Sequence, residues 1–299
     1  MTQETHETMS TTETPRSIPT ALPGFTVRVA TPAEWARVTE WANREGWNHG
    51  FSDAACFLAT DPHGFFLGYL GDRPVAAVSL VNHNDGYAVW GHYLVDPGFR
   101  AQGYGRATCR VARKHAGDRI LASDAMPGQV TNYTRSGLVR AHDTVHYTGL
   151  PRPSGDAAAG VVPYEPAWLD AVTDYDRLSF PDGRPAFLAH WLAAEGHRTF
   201  LRVTDGVLTG YGVLRPAPLR WRIGPLVADT EQDGEALFAA LTTGLGPDEE
   251  VSLFVPERQG WFAAARGLTE EFRVVRMYTA AVPEGRAERV YAIGSLELG

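Results

Sequence analysis

Residues 95–117 read VDPGFRAQGYGRATCRVARKHAG, and the interpretation of this stretch decides the fold. Gly103 and Gly105 stand where a helix begins, with Arg100, Arg106, Arg110, Arg113 and Lys114 around them. A helix start exposes up to four unpaired N–H groups and a partial positive charge, so a glycine turn leading into one suits a phosphate. Two loop types of that kind are excluded. A Walker loop requires Lys-Ser/Thr after its second glycine, but Arg106-Ala107 follows Gly105. A dinucleotide fingerprint requires a third glycine where Thr108 stands, and it opens its domain rather than following a hairpin.

Working outward, an apolar strand YAVWGHYLV (87–95) precedes the loop, and before it FFLGYLGDRPVAAVSLV (65–81) carries two apolar runs about a Gly-Asp turn. The first half opens with a strand (FTVRVA) and a helix (PAEWARVTEWANREG) whose start is marked by Thr31 as N-cap and Pro32 at the first position. A short helix (SDAACFLAT) leads to the hairpin. After the loop come its helix, a strand (RILASDA), a short helix (QVTNYTRSG) and a last strand (GLVRAHDTVHYTG). Strands and helices alternating around a mixed sheet predict an α/β or α+β layer. TFLRVTDGVLTGYGVLR (199–215) repeats the hairpin, and GLTEEFRVVRMYTA (267–280) repeats the last strand, at an offset close to 130 residues. That period suits a duplicated domain and is too long for a solenoid. PRPSGDAAAG (151–160) reads as a linker and residues 1–22 as a disordered tail, leaving domains at 23–150 and 161–299.

Composition excludes several classes. A hydrophobic content of 44% with 21% charged residues is that of a globular domain, and no apolar run approaches a membrane span. The N-terminus lacks the order of a secretory signal. Cys56 and Cys109 are the two cysteines, which suits a reducing cytoplasm rather than a disulfide framework or a zinc site. The ten histidines form no H-x-x-x-H pair on a helix, so no metal is expected. The net charge of -8 argues against a broad nucleic-acid surface.

The strand ending in Val95, then Asp96-Pro97 and Arg100-x-x-Gly103-x-Gly105 opening a helix, resembles the acyl-CoA loop of the GNAT N-acetyltransferase superfamily. Tyr133-Thr-Arg-Ser-Gly137-Leu138 is similar to its Tyr-x-x-x-Gly-Phe segment, with Leu138 for the usual Phe. The resemblance implies acetyl-CoA or another acyl-CoA as co-substrate, held by Leu94, Val95, Arg100, Ala101, Gln102, Gly103, Tyr104, Gly105 and Arg106. It implies that Tyr133 protonates the departing thiolate; the alternative for Tyr133 is a core aromatic on a short helix. Two departures stand out. Met126 occupies the place of an Asn that holds pantetheine in many relatives, and Trp90-Gly91-His92-Tyr93-Leu94 lacks the acid that many carry on this strand. His92 is the candidate base in its place, or a packed strand histidine.

The second half resembles the C-terminal acetyltransferase-like domain of bacterial two-domain GNAT proteins, through Gly210–Arg215, Ile223–Asp229 and Arg276-Met-Tyr278. Its equivalent loop, 228–235, carries Asp229, Glu231, Asp233 and Glu235, which repel a pyrophosphate, and Ala263 stands in the place of Tyr133. This half is expected not to bind CoA. The same proteins share the signature Trp41-Ala-Asn-Arg-Glu45-Gly-Trp47-Asn48-His-Gly50 with Asp53. Glu45 and Asp53 are candidates to hold a cationic amine between Trp41 and Trp47, with Asn48 beside them; a capped helix end with buried tryptophans is the other reading. The expected function is CoA-dependent N-acylation of a small-molecule primary amine by direct transfer, with His92, Glu45 or a water chain taking the proton. An aminoacyl-tRNA donor and a non-catalytic acyl-CoA sensor are the alternatives.

Overall fold

The computed structural model describes residues 22–152, 160–180, 183–282 and 285–299. Nearly all of the tail and most of the linker read from the sequence lie outside the described residues. In chain order the first half contains β1 (Phe25–Val29), α1 (Pro32–Arg44), α2 (Asp53–Thr60), β2 (Phe65–Leu70), β3 (Arg73–Asn82), β4 (Tyr87–Val95), α3 (Tyr104–Ala116), β5 (Ile120–Ala125), α4 (Val130–Arg135) and β6 (Val139–Gly149). The second half repeats that order with β7 (Val161–Pro163), α5 (Leu169–Arg177), α6 (Pro185–Trp191), β8 (Arg198–Thr204), β9 (Val207–Arg215), β10 (Trp221–Ala228), α7 (Glu231–Thr242), β11 (Val251–Pro256), α8 (Gly260–Ala265) and β12 (Thr269–Tyr278). A short extra strand, β13 (Val290–Ala292), follows. Among the described residues no helix is long and apolar enough to cross a membrane.

Local sequence accounts for the elements. Thr31 and Glu34 form a reciprocal capping box at the start of α1, and Trp35, Val38 and Ala42 give that helix one buried face. The residues from Val75 to Val81 are buried without a break, as expected for a strand covered on both faces by helices.

All the strands join one mixed, mostly antiparallel 13-stranded sheet, ordered β1-β2-β3-β4-β5-β12-β6-β11-β10-β9-β8-β7, with β13 on β10. The two halves are not laid side by side. β12, from the second half, lies between β5 and β6, and β6, from the first half, lies between β12 and β11. Each half thus contributes its last long strand to the other's sheet, so the boundary near residue 150 divides the sequence but not the sheet.

Both halves carry the same irregularity. Ser79 pairs with Gly91 and Ala77 with Leu94, so His92 and Tyr93 bulge opposite Val78. Ile223 pairs with Leu214 and Leu226 with Gly212, which places the equivalent bulge at Gly224-Pro225. β4 and β10 bend at these bulges. The parallel pairing of β4 with β5 ends at Trp90 and Ser123, and that of β10 with β11 ends at Ile223 and Leu253. Beyond those points each pair of strands parts.

Candidate active site

Between the parted ends of β4 and β5 lies a cavity of about 870 Å³. At one end it meets the start of α3, where Gly103, Tyr104, Gly105 and Arg106 line it. Gly103 is the N-cap, left-handed at φ +93°, and no side chain caps the first turn of α3 or adds an acid to it. Its amide N–H groups therefore have no local partner from a capping side chain. Gly105 serves a different need from Gly103. A Cβ there would stand 2.6 Å from the Tyr93 hydroxyl and 2.7 Å from Val95, so glycine lets the helix pack closely on β4.

The loop between Val95 and α3 is braced by its own side chains. Asp96 accepts from the Gly98 amide at 3.0 Å and pairs with Arg73 at 2.8 Å. Gln102 donates to the Gly98 carbonyl at 2.9 Å, and Ala101 is left-handed at φ +60°. Arg100 donates to the Val95 carbonyl and pairs with Glu45 at 2.9 Å, tying the loop to the end of α1. Glu45 lines the cavity, whereas Arg100, expected to hold the cofactor, does not. Leu94 and Gln102 do not line the cavity, whereas Val95 and Ala101 do.

Tyr133, on α4, lines the middle of the cavity with its ring 5.1 Å from Trp90. Burial, with the Cys109 thiol nearby, pushes its phenol above the ordinary tyrosine value, so it stays protonated. Met126 also lines the cavity.

His92 is the bulge residue, at φ +46°. Its Nδ1 lies 2.9 Å from the Ser79 hydroxyl, while Nε2 is buried without a partner. Burial, then the charge of His49, pushes the imidazole down to about 3, which leaves it neutral and a weak proton acceptor.

The Trp41–Asp53 signature divides. Glu45 and Trp47 line the cavity; Trp41, Asn48 and Asp53 do not. Asp53 is fully buried, accepts from the Gly50 amide at 2.9 Å and pairs with Arg215 at 3.0 Å. Asn48, left-handed at φ +54°, donates to the Arg220 carbonyl and accepts from the Leu219 amide. Arg222 donates to the carbonyls of Trp47 and Asn48. These side chains fasten the loop after α1 to the second half. Trp41 is half-buried against the core between the halves.

Two further features were not legible in the sequence. The far end of the cavity is aromatic: the rings of His146, Phe254 and Phe272 lie 4.5 to 6.2 Å apart, on β6, β11 and β12. Burial, then Arg222 and Arg220, pushes His146 down to about 3, so this end carries no imidazolium. The exchange of strands puts these residues on the cavity, and no local motif marks it. The second feature is Glu297, buried against Gly91, where a Cβ would stand 2.9 Å from the Glu297 Cα. Glu297 lines the cavity and pairs with His49 at 3.2 Å.

The equivalent slot of the second half is filled. β13 pairs with β10 at Leu226 and Val227, and the Ile293 amide donates to the Phe254 carbonyl at 2.9 Å. At the start of α7, Thr230 accepts from the Asp233 amide, and Glu231 and Asp233 stand in the first turn. Asp233 pairs with Arg202 at 2.9 Å and Asp229 pairs with Arg289.

The Acetyltransferase (GNAT) family profile matches residues 33–128, and an Acetyltransferase (GNAT) domain profile matches residues 172–292. The chain is 35% identical over 279 residues to a holothin acyltransferase of Pseudoalteromonas sp. (strain SANK 73390), covering 92% of this chain and 95% of that one. Among solved structures it is similar to a putative acetyltransferase of Pyrococcus horikoshii, with a TM-score of 0.78 at 21% identity, covering 94% of this chain and 98% of that one. It is also similar to a tandem GNAT protein from the clavulanic acid biosynthesis pathway, with a TM-score of 0.58 at 19% identity over 86% and 98% of the two chains. The chain belongs to the GNAT acetyltransferase family, as a tandem protein with one GNAT fold in each half.

Proposed function

We propose that this N-acyltransferase moves an acetyl group from acetyl-CoA to the primary amine of a flat, largely apolar small molecule, by direct attack within a ternary complex. The observation that carries this reading is the single cavity between β4 and β5. It joins the uncapped start of α3 at one end to the rings of His146, Phe254 and Phe272 at the other, with Tyr133 between. The amides of α3 and the Arg106 guanidinium hold the pyrophosphate, because the helix end and the cation both favour negative charge. The pantetheine arm runs along the parted edges of β4 and β5. Past the bulge at His92, the N–H of Val95 polarises the thioester carbonyl. Tyr133 gives its proton to the leaving thiolate, a transfer between groups of comparable ordinary acidity.

The aromatic end favours an uncharged, ring-bearing acceptor over a polycation. The carboxylate of Asp53, a candidate to hold an ammonium, is buried in its pair with Arg215, and that of Glu45 is paired with Arg100. The relative named for acyl transfer to holothin supports a small-molecule acceptor, and holothin belongs in the first panel of amines. Calorimetry with acetyl-CoA, followed by thiol release with aromatic amines, aminoglycosides and polyamines, tests the reading. Binding of one acetyl-CoA per chain and turnover confined to the aromatic amines are expected. A chain that binds no acetyl-CoA would overturn the donor, and turnover of polyamines alone would overturn the acceptor. Acetyl-CoA binding with no turnover of any amine points to a sensing module.

A further inference from the structure

The first half carries no acid on β4, and the histidine standing there is buried and neutral, with its Nδ1 held at Ser79. The geometry points to a carboxylate delivered from elsewhere in the chain: we infer that Glu297, on the segment that follows β13, accepts the proton that the amine gives up as it attacks. The inference rests on the acyl-transfer reading above and adds a catalytic residue to it.

Four observations converge on Glu297. It lines the same cavity as Tyr133. It lies directly against Gly91 at the point where β4 parts from β5, and only a glycine leaves room for its backbone there. Its Oε1 is paired with His49 at 3.2 Å, while its Oε2 is buried with no hydrogen-bond partner. A buried carboxylate oxygen without a donor is costly, and at the wall of a cavity it is an acceptor awaiting one. The segment that carries it is firmly held: Arg184 donates to the Gly299 carbonyl at 2.6 Å, His83 Nε2 lies 2.8 Å from the Leu298 carbonyl, and Arg215 donates to the Gly294 carbonyl at 3.0 Å.

The titratable and charged groups facing Glu297 come from several elements: His49 from the loop after α1, His92 from β4, Asp124 from β5 and Arg222 from β10. Burial works to raise its carboxyl, but the contact with His49 and the charge of Arg222 outweigh it and hold the group well below the ordinary carboxylate range. It is therefore ionised at neutral pH. As attack makes the nitrogen cationic, an ionised carboxylate at the cavity wall attracts that charge and is placed to take its proton.

The step balances as follows. The amine lone pair forms a C–N bond to the thioester carbonyl carbon, and the carbonyl π pair moves to oxygen. Glu297 takes a proton from that nitrogen. The tetrahedral intermediate collapses, the C–S bond breaks and the thiolate takes a proton from Tyr133. One proton has then passed from the amine side to the thiol side, and solvent returns the two residues to their starting states. His49 is a positioning residue, since it reaches the amine only through Glu297.

Glu297→Gln tests the inference with the amine that the wild-type protein accepts. The expected result is a fall in kcat of about 100-fold or more, with the KM for acetyl-CoA within about 2-fold. Glu297→Asp keeps the charge one methylene back and should recover part of kcat at the same KM for acetyl-CoA, which a role in packing alone would not do, since Gln is the closer match in shape. Should Glu297→Gln fail to fold, Glu297→Asp stands in, with a fall in kcat of about 10-fold at unchanged KM for acetyl-CoA expected and wild-type kcat overturning the inference. Turnover by folded Glu297→Gln within 3-fold of the wild type, or a loss that only follows lost acetyl-CoA binding, overturns the role of Glu297 and leaves acyl transfer standing. A wild-type protein that binds no acetyl-CoA overturns both.

Discussion

The two halves of this chain present the same device twice, a bulged strand parting from its parallel neighbour beside a helix start, and they use it in opposite ways. Beside α3 the first turn has no acid and no capping side chain, and the gap between β4 and β5 is open. Beside α7 the first turn holds Glu231 and Asp233, Thr230 caps it, and β13 lies in the gap. Both copies of the fold are intact, so what separates them is occupancy. In one, the amides and the slot are left for a ligand; in the other, the chain satisfies them itself. The segment that follows β13 then passes to the open copy and brings Glu297 to its edge. On this reading the second copy is a support that supplies the aromatic end of the cavity and a carboxylate, not a second site.

The largest expected effect comes from the residue that only the open copy possesses. Tyr133→Phe should lower kcat for thiol release by about 100-fold or more and leave calorimetric acetyl-CoA affinity nearly unchanged; the second half has Ala263 at that place.

Acidification should expose a second asymmetry. Burial leads in pushing His83 and His142 to about 4 and His92 and His146 to about 3 in the first half, and His197 to about 4 in the second. Their folded values lie below the unfolded one, so below about pH 6.5 the unfolded chain binds more protons and stability falls as the pH falls. By pH 5 the buried His83 and His92 should each cost about 2 kcal/mol. Denaturant titrations at pH 7 and pH 5 measure the sum, and equal midpoints would contradict the burial of these rings.

Gly105→Ala sets a methyl group against Tyr93 and Val95. A loss of roughly 1–3 kcal/mol in stability is expected, with weaker acetyl-CoA binding as the start of α3 is displaced. Thermal melting read beside calorimetry separates the two effects. The smallest effect sharpens the comparison most. Glu231→Gln combined with Glu235→Gln removes repulsion from the second loop but leaves β13 in its slot. Binding should stay at one acetyl-CoA per chain, and a second equivalent would mean that charge alone had silenced that copy.

Much of the molecule follows from short-range sequence. The capping box at Thr31, the hairpin about Gly71-Asp72, the glycine turn into α3 and the repeat near 130 residues are local patterns, and local hydrogen bonding and hydrophobic period produce the elements they announce. The loop at 95–117 marked the helix start that borders the cavity for the same reason. Burial and partners are not local quantities. Nothing near Asp53 in the sequence announces Arg215, and nothing near Trp47 or Asn48 announces Arg222, yet those pairings draw the signature loop toward the second half. Gly105 reads as a phosphate glycine, but its missing side chain makes room for Tyr93 and Val95. The sequence by itself determined the elements, the duplication and which loop resembles an acyl-CoA site. Only the tertiary structure decided that the halves exchange strands, that β13 closes one slot, and that Glu297 meets Gly91. Those contacts join residues far apart in the chain, where no periodicity or motif can register them.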